Sequence, residues 1–391
     1  MPVEVNLGNP PAGIAVSFAR AGEKVQVRTL EFTSTEDGQH FICRLEACCS
    51  HILERLPDPV RPSQVDHMLV VYRRDGTAEV YVNELELRGK ARVTGPVEAG
   101  DPVTKDDVAE IRSLDLGVAI PRDAGFLFLF SVGWRKGLFY DFVPTLVPDR
   151  RPRDYDIEPA LGRMYFRVLF QERFSLSDED WDRLFSAQWF PFVGLRSSTA
   201  DDLISHVQGG VDPDRLVDRI VEETKVRLAQ MADSWAGRAS FGQHMALLEH
   251  AMERFLADDP TSCTALLFPR IEGLLRHHHA ELGGGRKPHR DNLVRTATES
   301  AIQRDNDSLL LPRRFREYLR KVYFAGFRPK DEQAKVSRDS VGHGVAPASA
   351  FDWKAALIGL LTVDQLFYFL SDEGVSEAEA RDTTERRAEG G

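Results

Sequence analysis

The chain has 391 residues, a formal net charge of −11, and 42% hydrophobic and 28% charged residues, the composition of a globular protein with material for two or three domains. Four cysteines, three of them close together at Cys43, Cys48 and Cys49, exclude the disulfide framework of a small secreted module and point to a reducing compartment. The opening MPVEVNLGNPPAGIAV has no basic region followed by an apolar run, and the longest apolar stretch, 355–370, is short and carries Asp364, so neither a secretion signal nor a membrane anchor is expected.

Taken in chain order, the elements begin with strands expected at 13–18 and 24–32. Phe41, Leu45, Cys48, Cys49, Ile52 and Leu56 then recur at three- and four-residue steps, one apolar face of a helix. A hairpin follows, with strands at 67–72 and 78–83 around the Asp75-Gly76 turn. The runs 126–132 (FLFLFSV) and 138–143 (LFYDFV) read as buried strands joined by a turn at 133–137. The proline- and charge-rich stretch 147–155 reads as a linker.

Beyond it the texture turns helical. Tyr165, Val168, Leu169 and Phe174 start a helical period, and 212–235 reads as one long amphipathic helix whose apolar positions include Val226. Further helices are expected at 243–256, 263–282 with an interruption at Pro269, 292–303, 315–324 and 351–370. The fold class is therefore α+β. An N-terminal mixed domain with antiparallel hairpins (1–146) leads through the linker (147–155) and a helical connecting region (156–240) to a helical bundle (241–370). A disordered charged tail (371–391) closes the chain.

Residues 260–370 carry 17 Lys plus Arg against 12 Asp plus Glu, a net of +5 in a chain that totals −11, so the helical part is the half suited to a polyanion. Cys43, Cys48, Cys49 and His51 contain no CxxC pair and read as core, not as a metal site. His277, His278 and His279 point about 100° apart on a helix and form no ready chelate. Gly283, Gly284 and Gly285, with Arg286 and Lys287, lack phosphate-loop spacing and read as a connector.

The segment with chemistry is SRDSVGHG, from Ser337 to Gly344. Arg338 offers a fixed cationic fork for phosphate oxygens, and His343 is the side-chain type that exchanges protons near neutral pH. Five residues apart they stand about 140° from each other on a continuous helix, so they converge only where the helix ends or bends, which Gly342 and Gly344 permit.

Arg338, the polar Asp339, three further positions and His343, with the apolar segment LLFPRIEGLLR upstream and a terminal helix downstream, resemble the HEPN superfamily of small helical domains. The resemblance spans 241–370, about a third of the chain, and is similar to the branch found in uncharacterised bacterial and phage-defence proteins. It departs from the toxins paired with nucleotidyltransferase antitoxins in having Val345 where those carry tyrosine, and it has Asp339 where asparagine is common.

The resemblance implies a metal-independent endoribonuclease, free of cofactors, with Arg338, Asp339 and His343 as catalytic residues. It also implies single-stranded RNA as partner and a homodimer through the C-terminal domain, without a membrane. The N-terminal domain would bind an unidentified trigger or regulator in a cytoplasmic protein with a defence or toxin-like role. The alternative is a non-catalytic dimerisation or ligand-binding protein, in which Arg338 and Asp339 are a structural ion pair and His343 ends a helix. Phe351, Trp353, Leu357, Leu360 and Leu361 are the apolar positions expected at the dimer contact.

Overall fold

A computed structural model describes residues 2–8, 20–22, 30–33, 38–145, 151–285, 287–304, 307–326 and 335–370. The strand expected at 13–18, residues 24–29 of the second, residues 147–150 of the linker and the tail at 371–391 lie outside the described residues.

The chain is α+β and divides into two compact units, Met1–Arg92 with Glu110–Ser175 and Val93–Ala109 with Leu176–Gly391. In the first, strands β1 (Val3–Asn6), β2 (Leu30–Thr33), β3 (His67–Tyr72), β4 (Thr77–Val82), β7 (Gly125–Val132) and β8 (Arg135–Asp141) form an antiparallel sheet in the order β1-β4-β3-β7-β8-β2. Strands β5 (Arg88–Val93) and β6 (Val108–Asp115) form a separate pair. The period-two alternation of a strand explains why FLFLF is apolar throughout. Leu127 and Leu129 join Val70 and Val80 under Phe41, Cys49 and Ile52 on one face, while Phe126, Phe128 and Phe130 meet Leu161, Met164 and Val168 of the helix Ile157–Leu169 on the other. With both faces covered, no position from Phe126 to Phe130 is left to be polar.

The register Val132↔Arg135 shortens the β7–β8 turn to Gly133 and Trp134, against the five residues expected; Gly137 is already paired with Phe130. Cys48 and Cys49 are buried as read from the sequence, whereas Cys43 is exposed. The first unit runs on to Ser175, past the expected linker, because the Ile157–Leu169 helix covers the phenylalanine face of the sheet. Arg153, inside that stretch, is buried and donates to Asp141 at 2.9 Å, to the Ala124 carbonyl at 2.8 Å and to the Pro121 carbonyl at 3.3 Å.

The second unit is helical and is not divided near residue 240. The helix Val217–Ala236 packs on Trp353–Leu370, and Trp235 Nε1 donates to Asp364 at 3.3 Å. Segment 93–109 belongs to this unit, where Ser197 N donates to Asp106 at 2.6 Å, Leu309 N to the Ala109 carbonyl at 2.9 Å and Tyr368 Oη to the Thr94 carbonyl at 2.7 Å. The helix Pro260–Glu281 is the hub, packing against Met245–Leu256, Arg290–Gln303, Arg338–Gly342 and Trp353–Leu370. It runs through Pro269 without the expected interruption. Burial of Leu267, Phe268, Ile271, Leu274 and Leu275 outweighs the roughly 3 kcal/mol that an interior proline costs. Gly359 lets Trp353–Leu370 come close to this hub, since a Cβ there would stand 2.9 Å from Leu267 Cδ1.

Trp353–Leu370 is the single described helix long and apolar enough to cross a membrane, and 83% of it is buried inside the protein, as a core helix is. Leu357, Leu360 and Leu361 are fully buried within this one chain, so these three are not open to the dimer contact expected of them; the helix is enclosed by its own bundle. Val226, expected on an apolar face, is 77% exposed.

Candidate functional site

Residues 337–345 form one turn with both ends fixed. Ser337 Oγ accepts from Ser340 N at 3.2 Å and Ser340 Oγ accepts from Ser337 N at 2.9 Å, a reciprocal cap that starts the helix Arg338–Gly342. It stops in a Schellman motif: Val345 N bonds the Ser340 carbonyl at 3.0 Å and Gly344 N the Val341 carbonyl at 3.1 Å, with Gly344 at φ +64°. A left-handed φ is free for glycine and costs other residues, so Gly344 is what ends the helix at His343. His343 is exposed there. The Arg338 guanidinium folds back along the turn, its Nη1 lying 3.8 Å from the position a Gly342 Cβ would take, next in sequence to His343.

Arg338 is held from two sides. Its Nε donates to Glu272 and its Nη1 to Asp339 at 3.1 Å. Asp339 also accepts from Arg290 Nη1 at 2.6 Å, and Glu272 from Arg276 Nε at 2.7 Å. The result is an alternating chain of charges, Arg276, Glu272, Arg338, Asp339, Arg290, drawn from three helices around two buried carboxylates. Burial of Arg338 opposes its charge, but the bonds to Glu272 and Asp339 outweigh it and raise the guanidinium pKa. Tyr323, buried beside Glu272 and donating to the Phe268 carbonyl at 2.6 Å, has its hydroxyl pKa raised well above 10.0, first by burial and then by the Glu272 charge.

Beyond the network lies a cleft of about 490 Å³ lined by Arg276, Pro288, His289, Arg290, Asp291, Val294, Arg320 and Phe324. Arg276 and Arg290 belong to both. Of these groups the sequence reading reached only Arg338, Asp339 and His343. Glu272 was legible as the one carboxylate in the apolar LLFPRIEGLLR run, with Arg276 four residues on; Arg290 and Arg320 carry no local signal, since they meet the site only through packing.

The other candidates resolve into ordinary side-chain contacts. His277 Nε2 lies 3.1 Å from Glu281, His278 is buried, and His279 Nδ1 is 2.8 Å from Thr296 Oγ1, three directions from three consecutive residues. Among the described residues no three His, Cys, Asp or Glu side chains are placed to hold a metal ion. No protein-family model, curated protein or solved structure matches the chain.

Proposed function

We propose that the turn from Arg338 to His343 is the cleavage site of a metal-independent endoribonuclease of the HEPN type, acting on single-stranded RNA as a cytoplasmic homodimer in a defence or toxin-like role. The observation that supports it is the terminated helix: the Arg338 guanidinium lies against Gly342, and the exposed His343, the next residue in sequence, ends the helix.

In the reaction the RNA 2′-oxygen attacks the adjacent phosphorus as its proton passes to a base. The bond to the 5′-oxygen breaks, that oxygen takes up a proton, and the products are a 2′,3′-cyclic phosphate and a 5′-hydroxyl. His343 serves in proton transfer, and Arg338 stabilises charge growing on the phosphoryl oxygens. Glu272 on Nε and Asp339 on Nη1 fix the plane of the guanidinium, leaving Nη2 for the substrate. In the first unit, the cavity of about 520 Å³ lined by Leu116, Ile120, Tyr155 and Leu161 is the place for a trigger.

The two carboxylates on Arg338 favour one other reading, in which the network is structural and the unit serves dimerisation or ligand binding. The test is incubation of the full chain with labelled single-stranded RNA in EDTA. Cleavage of RNA but not DNA, ending in cyclic phosphate and lost in His343→Ala by about 10²–10⁴-fold, is the expected result. Cleavage that survives His343→Ala would leave the binding reading in its place.

A further inference from the structure

The Arg276–Arg290–Arg320 cleft has a chemistry of its own, and we infer that it binds a phosphate-bearing ligand through these three guanidiniums. The inference does not rest on RNA cleavage at His343. Three elements far apart in sequence converge there: the end of the hub helix supplies Arg276, the start of Arg290–Gln303 supplies Arg290, and the π-helical turn Leu319–Tyr323 supplies Arg320.

Burial separates the two signs of charge. Glu272 and Asp339 have side chains only 7% and 9% exposed, whereas Arg276, Arg290 and Arg320 remain 39–47% exposed, so the charge turned toward solvent is cationic. Among the described residues Asp291 is the one opposing carboxylate on the cleft; it pairs with Arg320 Nε at 2.9 Å and lies 3.5 Å from His289 Nδ1. Arg320 therefore keeps both Nη groups, and Arg290 keeps Nε and Nη2, outside any hydrogen bond or ion pair with described residues, while the Arg290 guanidinium lies 5.7 Å over the Phe324 ring. Guanidinium forks match phosphate oxygens in pairs, and the amino end of the fourteen-residue Arg290–Gln303 helix adds partial positive charge at the same cleft. The volume of about 490 Å³ suits a ligand larger than one phosphate, and Phe324 and Val294 give it an apolar part. A free nucleotide and the backbone of an RNA strand both present this chemistry.

Calorimetric titration of the full chain with pyrophosphate tests the site. Saturable one-to-one binding is expected, weakened about tenfold in Arg320→Gln, the size of one charge-assisted hydrogen bond. Among the described residues Arg320 pairs only with the exposed Asp291, so this variant leaves the buried network whole, and an unchanged melting temperature verifies that. Labelled single-stranded RNA that pyrophosphate displaces, and that Arg320→Gln binds more weakly, identifies RNA as the natural ligand; ADP binding lost in Arg320→Gln, with RNA binding unaffected, identifies a free nucleotide. Absence of pyrophosphate binding at millimolar concentration, or equal affinity in both proteins, overturns the inference.

Discussion

Arg338 Nε donates to the Glu272 carboxylate across 66 residues of sequence, tying the turn that carries His343 to the hub helix of the bundle. Glu272 is buried and holds two arginines, so its loss strands positive charge that the fold has partly taken out of water. Glu272→Ala should lower the unfolding free energy by about 3 kcal/mol in denaturant titration, and Glu272→Gln, which keeps the acceptor oxygen, by less. Equal and small losses would mean that Arg338 and Arg276 are held by solvent alone.

The two proposed catalytic residues differ as targets. His343 is exposed at the helix end, so His343→Ala should leave the melting curve within about 0.5 kcal/mol of the parent, and any lost activity is then chemical. Arg338→Ala instead leaves Glu272 and Asp339 facing each other's surroundings without the cation between them, and it should destabilise the helical unit. Circular-dichroism melts of both variants decide this, and only a His343→Ala defect in a protein of parental stability counts as evidence for catalysis.

Gly344 carries the positive φ that closes the Schellman motif. Gly344→Ala should cost about 1–2 kcal/mol in thermal unfolding, and more of the RNA cleavage than of the stability, because the position of His343 depends on where the helix ends. Gly342→Ala, at a helical residue whose Cβ would meet only the Arg338 guanidinium at 3.8 Å, should be milder in stability. A Gly344 variant with parental melting and parental activity would show that the helix end is fixed by other bonds.

Much of this fold was legible because its signals are local. Asp75-Gly76 between alternating strands gave the hairpin, and FLFLF gave a strand covered on both faces. The β5–β6 pair escaped because RGKARV is polar and exposed, without the alternation that marks a half-buried strand. Pro269 read as a break since local propensity says so, but packing around the hub helix overrides it. At the site, the capped turn and its glycines were readable from eight consecutive residues and Glu272 from its place in an apolar run, whereas Arg290 and Arg320 join it only through packing. The division of the chain was misjudged for the same reason: segment 93–109 bonds to the helical unit, so deleting residues 1–150 removes part of that unit along with the sheet.

In the first unit, Arg153 and Asp141 form an ion pair with both side chains at most 3% exposed, and Tyr155 Oη also donates to Asp141 at 2.9 Å. Arg153→Ala should cost about 3–5 kcal/mol, since it leaves the buried Asp141 carboxylate without its counter-charge. The measurement is denaturant unfolding followed by limited proteolysis: a nick near residues 151–155 that is absent from the parent is the expected companion. A change under 1 kcal/mol, by the measure of an exposed ion pair, would place this stretch back among linkers.

Asp364 lies in the middle of the apolar Trp353–Leu370 helix, 3% exposed. Trp235 Nε1 donates to its Oδ1 at 3.3 Å, Oδ2 accepts no hydrogen bond from the described residues, and Arg227 Nη2 stands 3.8 Å away. Burial raises its pKa from the ordinary 3.8, against the opposing pull of Arg227 and Trp235. Between 3.8 and the raised value the folded chain therefore holds more protons than the unfolded one, and stability from this group falls as pH rises through that window. His244 acts in the opposite sense. Burial, Arg270 and His277 lower its pKa from 6.5, so its contribution is lost as pH falls below that value. Asp364→Asn keeps an acceptor for Trp235 and removes the titration, while His244 is the same in both proteins and cancels in the difference. Unfolding free energies measured from pH 4 to pH 7 should accordingly move in favour of Asp364→Asn as pH rises. A difference that stays flat, or that moves toward the parent, would mean that Arg227 holds the Asp364 carboxylate charged at an ordinary pKa, and that burial of this helix does not govern its ionisation.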